Sequence, residues 1–154
     1  MDAIDRIIVR SLQQNGRLTN NDLAEKVNLS PSPCLRRVRK LEEEGVIKGY
    51  TTLVDHEKYG FPLCVFVNIR LERQTNEVIR LFEKHIQDIE EIMECYLLTG
   101  NFDYVLRVVS PSLKDYETFV KEKLTRIPGV GALETRIAFG TIKRTTVYPR
   151  HKPD

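Results

Sequence analysis

The chain has 154 residues, a formal net charge of +2, 41% hydrophobic residues and 30% charged residues. Such a length fits one or two small domains, and the apolar fraction suffices for a packed core, which excludes a disordered tail. No apolar run reaches the roughly 20 residues of a membrane span. The opening "MDAIDRIIVR" places Asp2 and Asp5 where a secretory signal would place cations, so the expected location is cytoplasmic, with no membrane partner.

Residues 1–50 hold nine Lys/Arg against seven Asp/Glu, whereas residues 51–154 are balanced, so the positive excess is N-terminal. Ile4, Ile7, Ile8 and Leu12 recur at helical spacing. Asn15-Gly16 ends that helix. Thr19 opens a second short helix with Asp22 three residues on, an acid-bearing capping box, and Leu23, Ala24 and Val27 form its buried stripe. Asn28-Leu29 makes a tight turn. The small Ala24 lets a third helix pack closely across the second. Three short helices in under fifty residues, the last basic, outline a helix-turn-helix.

The third helix lies in "LSPSPCLRRVRKLEEEG", Leu29 to Gly45. Proline lacks an N–H and its φ suits a helix, so Pro31 and Pro33 fit the first turn. Ser30 as N-cap makes Pro31 the first helical residue; Ser32 as cap makes it Pro33. The restriction on a residue preceding proline favours the Ser32 register, and removing the cap should cost about 1 kcal/mol. Leu35, Val38 and Leu41 are expected to face the core. Arg36, Arg37, Arg39 and Lys40 take the other faces, without an acid among them. The abrupt Glu42, Glu43 and Glu44 would be repelled by DNA, so the N-terminal half of the helix is expected to enter a groove. There Arg can pair bidentately with guanine, and Arg or Lys can clamp phosphate.

Beyond Gly45 the pattern changes. "VIKGYTTLVD" reads as a short hairpin or an extended link, and Asp55 to Pro62 as a linker. Strands are expected at Cys64–Leu71, Ile92–Leu98 and Tyr104–Val109, the last two joined by "TGNFD". A final strand is expected from Ala132 to Thr146, long enough to bend. A helix over Glu77–Ile89 should turn Val78, Leu81, Phe82, His85 and Ile86 inward. A second over Leu113–Ile127 should do so with Leu113, Tyr116, Phe119, Val120 and Leu124, before "PGV" stops it. The order βαββαβ is the ferredoxin-like layout, so the fold class is α+β. The divisions are residues 1–50 for the helical domain, 51–62 for the hairpin or linker, 63–149 for the ferredoxin-like domain and 150–154 for a tail.

Other chemistry finds little support. Cys34, Cys64 and Cys95 are odd in number and widely spaced, as for reduced thiols. His56, His85 and His151 show no metal-ligand spacing, and no phosphate-binding glycine motif is present, so neither a metal nor a cofactor is expected. No nucleophile stands beside a base, which points away from an enzyme.

The run from Ile4 to Asp55 strongly resembles the N-terminal half of Lrp/AsnC (feast/famine) transcription regulators. "LSPSPCLRRVRKLEEEGVI" is similar to their recognition-helix signature, and "YLLTGNFDYVLRV" to the signature of their second, RAM domain. The likeness covers Ile4 to Pro149. It implies a winged helix-turn-helix followed by a RAM domain, with homodimers that often assemble into octamers or other rings, double-stranded DNA as partner, and an amino acid or related small molecule as effector. Ser32, Pro33, Arg36, Arg37 and Lys40 match recognition-helix positions; Thr99, Gly100, Asp103 and Tyr104 match the effector loop. The loop's chemistry agrees. Asp103 could take a ligand's ammonium, and the backbone at Gly100 and Asn101 its carboxylate. The competing reading is an ACT-like small-molecule-binding or metabolic protein whose N-terminal helices serve assembly only.

Overall fold

The structure, a computed structural model, describes residues 1–150. It contains two compact units, Met1–Leu53 together with the segment from Ile142, and Val54–Thr141.

The first unit is built on α1 (Ala3–Gln14), α2 (Asn20–Lys26) and α3 (Pro31–Glu43). Helix α1 begins on a reciprocal cap. The Asp5 N–H donates to Asp2 at 2.9 Å and the Asp2 N–H donates to Asp5 at 2.8 Å. Helix α2 uses the expected Thr19–Asp22 box, in which the Thr19 hydroxyl donates to the carboxylate at 2.7 Å. Asn28 turns the chain into α3 with φ +53°, a left-handed conformation that asparagine tolerates better than most residues. Ile8, Leu23, Ala24, Val27, Cys34 and Leu41 form the buried centre, with Ile4, Leu12, Val38 and Ile47 against it.

Two expectations for α3 are corrected. Its N-cap is Ser30, so Pro31 and Pro33 both lie in the first turn, and no side-chain cap bond forms. The first turn gives up no backbone bond to either proline. The Asn20 amide, which donates to the Pro31 carbonyl at 2.8 Å, ties this register to α2. Leu35 is exposed and Cys34 replaces it in the core. Leu35 and Leu41 stand about 120° apart around a helix of 3.6 residues per turn, whereas Cys34, Val38 and Leu41 fall within about 60°. Ile7 also proves half-exposed. Gly45, at φ +70°, ends α3, and the Ile47 N–H returns to the Leu41 carbonyl at 3.0 Å. The segment from Val46 to Asp55 forms no hairpin; it is the extended link of the two alternatives, and residues 56–60 of the linker beyond it form a turn.

The second unit holds β1 (Leu63–Leu71), α4 (Asn76–Gln87), β2 (Ile92–Leu97), β3 (Tyr104–Ser110), α5 (Leu113–Glu122) and β4 (Val130–Ala138). The strands form one antiparallel sheet in the order β2-β3-β1-β4, the ferredoxin-like arrangement. Val65, Val67, Ile69, Leu106 and Val108 are fully buried against Phe82 and Ile86 of α4 and Tyr116 and Phe119 of α5. Each such side chain contributes about 1.5–3 kcal/mol.

The inward sets need correction here too. Leu81 and Leu113 are exposed, and His85 folds back so that its Nδ1 lies 2.7 Å from the Leu81 carbonyl. Phe82 and Ile86 define α4's sheet-facing stripe, and Leu81 and His85 lie on its flank. Helix α5 stops at Glu122, and a separate 3-10 turn over Leu124–Arg126 finishes the segment. Strand β4 ends at Ala138, not Thr146. Its ladder closes on Cys64↔Ala138, one residue from the start of β1, so further chain has nothing to pair with.

The segment from Ile142 groups with the helical unit. The Gln13 side chain holds this segment at both ends of its amide, donating to the Thr146 carbonyl at 2.9 Å and accepting from the Tyr148 N–H at 3.4 Å. Arg10 donates to the Tyr148 carbonyl at 2.9 Å. Of the expected tail, residues 151–154 lie outside the described residues. Among the described residues, no helix is long and apolar enough to cross a membrane.

Candidate DNA-binding and effector sites

Helix α3 brings most of the expected DNA-contacting residues onto one stripe. Ser32, Arg36, Arg39 and Lys40 are exposed, with Pro33 half-buried beside them. Ser32, Arg36 and Arg39 lie opposite Cys34 and Leu41, the two buried residues that anchor the helix, and Lys40 and Pro33 lie at the edges of that face. Arg36 and Arg39 have no ion-pair partner among the described residues, and Lys40 reaches Glu44 only at 3.6 Å. Glu42 accepts from the Tyr50 hydroxyl at 2.8 Å. Burial, and secondarily that carboxylate, push the Tyr50 phenol up to about 12.

Arg37 is different. It lies about 60° from Cys34, on the flank of the core and away from the outward stripe. Its guanidinium reaches Asp2 and Asp5 of α1, each at 2.7 Å. Each carboxylate gives one oxygen to the reciprocal α1 cap and the other to Arg37. The Asp5 N–H holds the Asp2 carboxyl below its ordinary range, with Arg37 adding to the effect; the two acids raise Arg37 in return. Arg37 therefore fastens the basic helix to the start of the chain. Sequence reasoning missed Asp2 and Asp5, although their three-residue spacing beside a helical pattern is the same capping signal that identified Thr19 and Asp22.

In the second unit, Thr99, Gly100 and Asn101 form an exposed loop between β2 and β3. Gly100 has φ +113°, and among the described residues nothing beyond its chain neighbours lies within 4 Å of where a Cβ would stand, so the backbone there is open to a ligand. Asp103 is more engaged than expected. Its N–H donates to the Ile69 carbonyl at 2.8 Å, and its Oδ2 accepts from the Leu71 N–H at 2.7 Å. The carboxylate thus continues the β1–β3 ladder past its last paired residue, Tyr104. Oδ1 accepts from the Gln74 amide at 2.7 Å. Tyr104 is buried, its ring against Phe82 with centroids 4.6 Å apart, and its hydroxyl donates to Glu83 of α4 at 2.9 Å. Burial first, then Glu83, push this phenol up to about 12. Loop backbone and Asp103 are brought together; Tyr104 faces the interior. Leu97 and Leu98, next to the loop, are exposed apolar side chains.

Known proteins match both halves. A family model described as winged helix-turn-helix DNA-binding matches residues 1–48, and one described as Lrp/AsnC ligand binding domain matches residues 64–148. The chain belongs to the Lrp/AsnC family. The leucine-responsive regulatory protein of Escherichia coli is 41% identical over 145 residues, which cover 94% of this chain and 88% of the relative. A transcriptional regulator from Neisseria meningitidis, solved as an L-Met complex, aligns with a TM-score of 0.92 and 34% identity over 97% of this chain and 96% of its own. An AsnC family transcriptional regulator from Agrobacterium tumefaciens gives a TM-score of 0.91 and 38% identity, covering 97% of each chain. Like other Lrp/AsnC proteins, the chain carries a DNA-binding helix-turn-helix ahead of a ligand-binding domain with the ferredoxin-like sheet.

Proposed function

We propose that this protein is a cytoplasmic transcriptional regulator, and not an enzyme, that binds double-stranded DNA as a homodimer or larger ring and responds to a free L-amino acid. The observation that carries the DNA-binding half is the outward stripe of Ser32, Arg36, Arg39 and Lys40 on a helix whose opposite face is locked into the core. In a two-fold dimer, two such helices would enter neighbouring major grooves of a pseudo-palindromic site. Arg36 and Arg39 would read bases or clamp phosphates, Lys40 would bind phosphate, and Ser32 and Pro33 would approach the backbone at the helix start. Pairing is supported by the sheet face turned away from α4 and α5, which presents Phe66 and Tyr96 to solvent.

The effector half rests on the open backbone at Gly100 and Asn101 beside the Asp103 carboxylate. Donor N–H groups there suit a carboxylate, and Asp103 suits an ammonium. Leu97 and Leu98 favour an apolar side chain, in keeping with the L-Met complex of the Neisseria relative. Tyr104 supports the site from behind, through Glu83.

Fluorescence anisotropy on a duplex that the wild-type protein selects from a random pool tests the DNA assignment. Arg36→Ala should lose the preference for that duplex over unrelated DNA while the protein stays folded. Wild-type discrimination in this variant would remove α3 from its role. For sensing, Asp103→Asn should abolish any amino-acid-induced rise in melting temperature; unlike alanine, it keeps an acceptor for the Leu71 N–H.

A further inference from the structure

The two oxygens of Asp103 are held in unlike ways. Oδ2 belongs to the strand ladder through the Leu71 N–H. Among the described residues, Oδ1 is held only by the Gln74 amide, which comes from the exposed, irregular connection between β1 and α4. That neutral N–H donor lies 2.7 Å from Oδ1, where a ligand ammonium would sit to reach the same oxygen. A charged donor makes the stronger bond to a carboxylate, so it can displace the amide.

From this geometry we infer that Gln74 is a built-in competitor for the effector's ammonium, and that effector binding unlatches the β1–α4 connection from the β2–β3 loop. The inference rests on the proposed amino-acid effector and adds to it the residue that sets affinity and transmits the signal. Thr75, the next residue, caps α4 by accepting from the Val78 N–H. Release of Gln74 therefore acts immediately beside the helix start, which would turn occupancy of a surface loop into a change at α4. Gln74 is a positioning and specificity residue here. In the unliganded chain it holds the carboxylate; in the liganded chain it is displaced.

Isothermal titration of the full-length chain with each of the twenty protein L-amino acids tests the inference, comparing wild type, Gln74→Leu and Gln74→Lys. For whichever amino acid binds the wild type, Gln74→Leu should tighten Kd about three- to tenfold, the worth of one ordinary hydrogen bond made in solvent. Gln74→Lys tethers an ammonium beside Oδ1 and should weaken Kd about tenfold or more. The α-hydroxy acid of the same side chain lacks the ammonium and should not distinguish wild type from Gln74→Leu. A Gln74→Leu Kd within twofold of wild type, or weaker, overturns the competitor role while leaving amino-acid binding intact. A wild type that binds none of the twenty removes the sensing reading and this inference together.

Discussion

Arg37 provides a test in which two roles for one arginine predict opposite results. On each α3, Arg36, Arg39 and Lys40 face outward, whereas Arg37 is bound to Asp2 and Asp5. In the proposed dimer, six outward cations could neutralise six phosphates, giving a slope of log K against log salt of about −5; two further Arg37 contacts would bring it to about −7. Arg37→Met should therefore weaken DNA binding, by loosening α3 from α1, yet leave the slope unchanged. If Arg37 instead clamped one phosphate in each half-site, its removal would flatten the slope by about 2. Asp5→Asn gives the sharper contrast. It makes the protein more positive and releases Arg37 from one acid, so an arginine that touched DNA would bind more tightly in this variant. Because the acid pair positions α3, the substitution should weaken binding and lower the melting temperature, as Arg37→Met does. Anisotropy titrations from 50 to 200 mM salt, on the selected duplex, measure both quantities. A flattened slope in Arg37→Met, or tighter binding in Asp5→Asn, would refute the positioning role.

Other consequences concern the scaffold. Gly129 has φ +87°, and a Cβ there would stand 2.4 Å from Val78 Cγ1, so Gly129→Ala should cost about 2–4 kcal/mol in chemical denaturation, against near neutrality for Gly140→Ala in open space. Asn28, at φ +53°, should accept glycine with little change, while Asn28→Val should lose about 1–2 kcal/mol in the same assay. Tyr104→Phe breaks the bond to Glu83 and should cost about 1 kcal/mol. Tyr104 also predicts the alkaline limit. Its folded phenol is raised to about 12, above the ordinary 10, so its stabilisation is complete below pH 10 and is lost as pH climbs through 12. Thermal melts across that window should fall less steeply in Tyr104→Phe than in wild type.

What could be read from the residues alone divides by distance along the chain. The Thr19–Asp22 box, the Leu23–Ala24–Val27 stripe and the strand cores were legible because each is fixed by neighbours within one turn or one pleat. The start of α3 was misplaced because the rule for residues preceding proline is weaker than the tertiary fit that seats Cys34 and Leu41 and brings Asn20 to the Pro31 carbonyl. The end of β4 was misplaced because it is set by where β1 begins. For the sites, residue type was legible and availability was not. Arg37 looks like its neighbours until Asp2, 35 residues away, takes its charge. Asp103 looks like a free carboxylate until Leu71 and Gln74, 32 and 29 residues away, occupy its two oxygens. In both cases the fold decides which ions are fastened internally and which remain for a partner. At Asp103 one of the two bonds is made by an exposed side-chain amide and not by the strand ladder, and it is that bond which the proposed effector would replace.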